Sequence, residues 1–178
     1  MEPEKPYCFV HVPKTGGTSV RMHLPNSTGH KRLSRVAESK LKGRFTFAFV
    51  RNPFERLVSA YEYLKGGGRT LGEKRLGNEI PDTFPKFVFN LKQYIDRSVH
   101  LKPMCYYLDK EVDFIGRYEN IQNDFNHVCE AINYPITTMV HINETDYGDW
   151  REYYSMTQLV KIVESYYKDD LDRFEYKF

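Results

Sequence analysis

The chain has 178 residues, with 26 basic against 24 acidic side chains, a net charge of +2, 40% hydrophobic and 15% aromatic content. That length buries one substantial core and is too short for two ordinary domains, so a single domain over 1–178 is expected. The near balance of charge removes the global case for a nucleic-acid binder, and no apolar run approaches the roughly 20 residues of a membrane span.

In chain order, the opening MEPEKPY lacks the apolar centre of a signal peptide, which predicts a soluble, cytoplasmic chain. YCFVHV at 7–12 and FTFAFV at 45–50 are nearly continuous apolar runs rich in aromatic and β-branched residues, the pattern of strands buried on both faces of a parallel sheet. Each runs into a turn suited to phosphate. After the second run, Asn52 is placed to cap a helix with Pro53 at its first position and Phe54, Leu57, Val58, Tyr61 and Leu64 on one face. KGGGRTLGEKRLGN at 65–78 carries too many glycines for a stable helix and is expected to form a mobile loop.

TFPKFVFNLKQYI at 83–95 predicts a helix with Phe84, Phe87, Val88, Leu91 and Ile95 on one side. VDFIGRY at 112–118 predicts a third strand, followed by a helix marked by Ile121, Phe125, Val128, Cys129 and Ile132. TTMVHIN at 137–143 is a candidate fourth strand, and Ser155 with Gln158 a candidate capping box for a terminal helix bearing Leu159, Ile162, Val163 and Tyr166. Strands alternating with helices define an α/β fold: a central parallel sheet flanked by helices, with ligands at the carboxyl ends of the strands. Cys8, Cys105 and Cys129 are odd in number and widely spaced among apolar neighbours, which suits buried reduced thiols and no zinc site.

PKTGGTS at 13–19 follows the first strand and precedes SVRMHL, so its glycines can aim backbone N–H groups at an anion while Lys14 adds a mobile positive charge. The nucleoside-triphosphate loop places its lysine after the glycines, whereas Lys14 precedes Gly16 and Gly17. A nucleotide kinase would also want an acidic residue at a strand end for magnesium, and FTFAFV ends on Arg51. In VRNPFERLVSAY, Arg51 stands at the strand tip and Ser59 about two helical turns further on, roughly 10 Å along the axis, where one phosphate lying beside the helix meets both. Arginine supplies a bidentate clamp and serine a directional hydroxyl. The plainer reading pairs Arg51 with a surface carboxylate and leaves Ser59 facing solvent.

Together the two motifs resemble those of the sulfotransferases that use 3'-phosphoadenosine 5'-phosphosulfate (PAPS), in particular the carbohydrate branch that includes the Golgi glycosaminoglycan enzymes. HVPKTGGTS is similar to that family's 5'-phosphosulfate loop and VRNPFERLVSAY to its 3'-phosphate motif. The likeness continues through HLKPM, FIGRYENIQNDF and the final YYSMTQLVKIVESYYKDDLDRFEYKF, so it covers nearly the whole chain. The resemblance implies a P-loop-like sulfotransferase fold, PAPS as co-substrate, 3'-phosphoadenosine 5'-phosphate (PAP) as product, and no metal. It assigns Pro13, Lys14, Thr15, Gly16, Gly17, Thr18 and Ser19 to the 5'-phosphosulfate, and Arg51 and Ser59 to the 3'-phosphate. Arg117, at the end of the third strand, is a lesser nucleotide contact, with a structural ion pair as the alternative. Met104 departs from the glutamine that the family often carries after the proline, and this leaves the acceptor open between a carbohydrate and a smaller hydroxylated compound.

Transfer of a sulfuryl group needs charge stabilisation, which suits Lys14, and a base for the acceptor proton. His23 lies four residues after Ser19, on the same face of the helix, and KTGGTSVRMHL is similar to the stretch of the heparan sulfate 6-O-sulfotransferases whose histidine at this place serves as the base. His100, in HLKPM, is the second candidate. From His30 to Arg44, Lys31, Arg32, Arg35, Lys40, Lys42 and Arg44 face Glu38 alone, a local charge of +5 that is either a solvated face or a platform for an anionic acceptor. The competing functions are a noncatalytic module that binds PAP or a glycan and, less favoured, a nucleotide kinase.

Overall fold

The structure, a computed structural model, describes residues 3–139 and 147–178. In chain order, β1 is Tyr7–Val10, α1 Gly17–His23, β2 Phe45–Val50, α2 Pro53–Lys65, α3 Leu71–Glu79, α4 Phe84–Phe89, α5 Leu91–Tyr94, α6 Met104–Tyr107, β3 Phe114–Arg117, α7 Ile121–Ala131, α8 Thr157–Tyr166 and α9 Lys168–Phe174. They divide between two compact units, Met1–Arg51 with Met104–Glu144 and Asn52–Pro103 with Thr145–Phe178. None of the helices among the described residues is long and apolar enough to cross a membrane.

The first unit holds a three-stranded parallel sheet in the order β1-β2-β3. Tyr7 pairs with Phe45 and Val10 with Ala48; Phe47 pairs with Phe114 and Val50 with Arg117. Phe9, Val10, Phe47, Ala48 and Phe49 are all fully buried, as continuous apolar runs require. Phe9, Phe47 and Phe49 pack in one core with Val20 and Leu24 of the α1 region and with Ile121, Phe125, Val128 and Ile132 of α7 and its end. β1 stops at Val10, two residues before the apolar run does, because the His11 N–H turns to the Thr28 hydroxyl at 3.3 Å and the Val12 N–H folds back on the Val10 carbonyl. Cys8 and Cys129 are buried free thiols, and burial pushes both upward, Cys129 to about 11, which keeps them protonated.

Residues 137–139 form no strand: the Gln122 side chain of α7 accepts from the Met139 N–H at 2.8 Å and donates to the Thr137 carbonyl at 3.1 Å, so a side chain holds what a neighbouring strand would have held. The remainder of that candidate strand, 140–143, lies outside the described residues.

In the second unit, Asn52 caps α2 by accepting the Phe54 N–H at 3.0 Å, with Pro53 at the first helical position. Phe54, Leu57, Val58, Tyr61 and Leu64 pack with Phe84, Phe87 and Val88 of α4 and with Leu159 and Val163 of α8. Arg56, only 1% exposed, donates to the carbonyls of Lys102 at 2.6 Å and His100 at 3.4 Å, tying the 100–102 turn to α2.

Three expectations need correction here. Residues 71–79 form α3 despite their glycines, because Thr70 and Glu73 make a reciprocal capping box that nucleates the helix. The 83–95 helix divides at Asn90, whose side-chain amide takes the Lys86 carbonyl at 2.8 Å and so competes with helix propagation. α8 starts at Thr157 behind Met156 with no side-chain cap, one residue too late for Ser155 to cap it.

Candidate phosphate site

Because the three strands are parallel, their carboxyl ends share one edge of the sheet, where β1 leads into the 13–17 loop, β2 into Arg51 and β3 into Tyr118. The loop is closed by the buried Thr15 hydroxyl, which donates to the Val12 carbonyl at 2.9 Å. Lys14 (φ 68) and Gly16 (φ 77) both adopt the left-handed conformation. A non-glycine residue held there carries a cost of roughly 1–2 kcal/mol, the kind of local strain found at ligand sites. Gly16 is the N-cap of α1 and supplies no side-chain cap; the Ser19 N–H turns back to the Gly16 carbonyl at 3.0 Å, and no side chain closes the start of the helix. A turn of this kind forms a concavity that accepts anions.

Neither glycine can be replaced without displacement. A Cβ on Gly16 would lie 2.5 Å from Ile121 Cδ1, and one on Gly17 would lie 2.1 Å from His11 Nε2. His11 is buried at 6% exposure, its ring 5.3 Å from that of Phe9 and 4.5 Å from that of His30. In the sequence His11 stands both in the 7–12 apolar run and at the head of HVPKTGGTS, where its polar ring two positions before Pro13 is the signal that it belongs to the loop.

Arg51 joins this loop. It is 5% exposed, its guanidinium carbon lies 3.9 Å from the centroid of the Tyr118 ring, and Nη1 donates to the Lys14 carbonyl at 3.4 Å. Its own N–H donates to the Met104 sulfur at 3.5 Å. The structure therefore brings together Lys14, Thr15, Gly16, Gly17 and Arg51, with Pro13 and Ser19 buried in the same loop and helix start and Thr18 exposed. His23, the last residue of α1, is half-buried with its ring 5.5 Å from Phe125. Arg117 is half-buried, and its N–H donates to Asp124 at 2.5 Å. Of the basic run, Arg32 is a structural tie: it pairs with Asp109 at 2.9 Å and stacks over Tyr106, while Lys31, Arg35, Lys40 and Lys42 are exposed.

Ser59 and His100 belong to the second unit. Ser59 is buried on α2. His100 Nε2 sits 2.6 Å from Glu73 Oε1 and packs 4.6 Å from the Tyr63 ring, so it reinforces the start of α3. Burial alone would raise the Glu73 carboxyl, but the N–H groups of Arg69 and Thr70, the His100 ring and the Thr70 hydroxyl hold it down at about 2.

A sheet edge that gathers a glycine loop, a lysine and a buried arginine presents backbone donors and positive charge of the kind that suits an anion. Residues 1–177 match the model of the Sulfotransferase family, and the chain belongs to that family. It is 30% identical over 127 residues to an uncharacterized protein of Archaeoglobus fulgidus, covering 67% of this chain and 92% of the relative. It is 31% identical over 120 residues to carbohydrate sulfotransferase 14 of mouse and of human, covering 54% of this chain. That match takes in 31% of each mammalian protein, so the chain spans about a third of those curated relatives. No solved structure matches the chain.

Proposed function

We propose that this chain transfers the sulfuryl group of PAPS to a hydroxyl of a carbohydrate acceptor. The observation that supports this most is the contact of Arg51 with the Lys14 carbonyl, which unites the two phosphate motifs at one sheet edge. The residues present fit a doubly phosphorylated nucleotide: an uncapped glycine turn for one end, and a buried guanidinium for the other. PAPS, when bound, supplies the activated sulfuryl group and a phosphate leaving group.

Lys14 and the backbone N–H groups from Thr15 to Thr18 hold the 5' end and stabilise charge there, with Pro13 and Ser19 shaping the turn. Arg51 clamps the 3'-phosphate, Ser59 adds a hydroxyl, and Arg117 is a lesser contact. His23 takes the proton of the acceptor hydroxyl as the new sulfur–oxygen bond forms. The carbohydrate class rests on the mammalian relatives, whose name carries it.

Calorimetry with PAP and with adenosine 5'-phosphosulfate, alongside labelled PAPS offered to a panel of glycans and small alcohols, tests this reading. PAP is expected to bind at least tenfold tighter than adenosine 5'-phosphosulfate, because Arg51 meets a 3'-phosphate that the second compound lacks. Equal affinities would overturn the 3'-phosphate site. PAP binding without transfer to any acceptor would leave the noncatalytic module.

A further inference from the structure

Tyr118 opens the 3₁₀ turn Tyr118–Asn120, directly after β3. Val50 pairs with Arg117, so the residues that follow them, Arg51 and Tyr118, leave the sheet side by side. One contact of the Tyr118 ring is the Arg51 guanidinium at 3.9 Å from the centroid. Another is the glycine turn, since a Cβ on Gly16 would lie 3.2 Å from Tyr118 Cδ2 and 3.3 Å from Cε2. One ring thus touches both ends of the site.

We infer that Tyr118 is a positioning residue that sets the plane of the Arg51 guanidinium and, through it, the preference for a nucleotide phosphorylated at the 3' position. This rests on the donor reading given above. A guanidinium stacked on an aromatic face lies parallel to the ring, which limits the tilt of its N–H fork. The bond from Nη1 to the Lys14 carbonyl then limits rotation within that plane. With both restraints the fork is preorganised, and a phosphate binds without the entropy loss of ordering a long side chain. Without the ring, Arg51 keeps its charge and its bond to Lys14 but loses the first restraint. The 3'-phosphate contact then weakens most, because the 5' loop keeps its other supports, the Thr15 hydroxyl on the Val12 carbonyl and Ile121 against Gly16.

Tyr118→Leu and Tyr118→Phe, each titrated with PAP and with adenosine 5'-monophosphate, read this directly. Tyr118→Leu is expected to reduce the ratio of the two affinities about tenfold, the loss falling on PAP far more than on the 5'-monophosphate. Tyr118→Phe, which keeps the stacked face, is expected to hold the ratio within about twofold of wild type. The inference is overturned if Tyr118→Leu keeps the wild-type ratio, if it weakens both nucleotides equally, or if Tyr118→Phe loses the ratio as fully as leucine does. Should Tyr118→Leu fail to fold, Tyr118→Met, a flexible apolar side chain without a ring, carries the same comparison. A wild-type protein that binds both nucleotides equally would instead defeat the donor reading, whatever Tyr118 does.

Discussion

Two helix starts in this molecule follow glycine-rich segments, and they are finished in opposite ways. At α1, Gly16 leaves the first turn without a side-chain cap, and the glycines are enforced by neighbours: Ile121 and Tyr118 at Gly16, His11 at Gly17. At α3, Thr70 and Glu73 cap one another's backbone, and His100, Tyr63 and the Arg69 N–H complete the coordination of the Glu73 carboxylate. The second start is satisfied from within the protein. The first is built rigidly yet has no side-chain cap, beside Lys14 and Arg51. A glycine-rich turn thus points to a ligand when its surroundings forbid side chains and withhold a cap, and is a plain connection when a cap is supplied.

The histidines of the two regions give the largest expected contrast. His23→Ala should lower kcat by about 10²–10⁴-fold in single-turnover assays while PAP affinity holds, since the proposed phosphate contacts are made by other residues. His100→Ala should instead lower the melting temperature through the Glu73 cluster, with a smaller effect on the chemical step. If single-turnover rates survive His23→Ala and vanish in a folded, PAP-binding His100→Ala, the two roles must be exchanged.

The glycines come next. Gly17→Ala drives a methyl group into the buried His11 ring, a clash of the overpacking kind that costs about 1–3 kcal/mol, and PAP affinity is expected to fall at least tenfold. Gly72→Ala, whose Cβ would meet only Thr70 Oγ1 at 3.9 Å, should be neutral or stabilise α3 by up to about 1 kcal/mol. Calorimetry and thermal melts on both variants check the difference; equal losses of PAP binding would erase the distinction between the two turns.

The smallest effect is on acid stability. Glu73 has a folded value of about 2 against an ordinary 4.5, so its contribution is fully present above about pH 4.5 and is lost as pH falls toward 2. The melting temperature of wild type should exceed that of Glu73→Gln near neutrality, and the gap should close across that window. A gap that stays constant down to pH 2.5 would show that the carboxylate charge is not what holds the cap.

What could be read without coordinates depended on how local the physics is. β2 is found at 45–50 as expected and the Asn52–Pro53 start of α2 forms, because buried strand runs and caps are settled by a few adjacent residues. α3 also carries a local signal, Thr70 followed by Glu73 three residues on, which outweighs the helix-weakening effect of its glycines. The 83–95 break was harder to read, since a single asparagine side chain decides whether one helix or two form.

At the site, the sequence by itself determined the chemical inventory: a lysine and two glycines after one strand, an arginine after the next, and a histidine one helix on. Only the tertiary structure decided that Arg51 meets the Lys14 carbonyl, that Tyr118 lies under Arg51 and beside Gly16, and that His11 forms the wall behind Gly17. Those relations join residues up to about a hundred positions apart. They follow from the parallel register that delivers three strand ends to one edge, and register is a property of packed strands that no single segment contains.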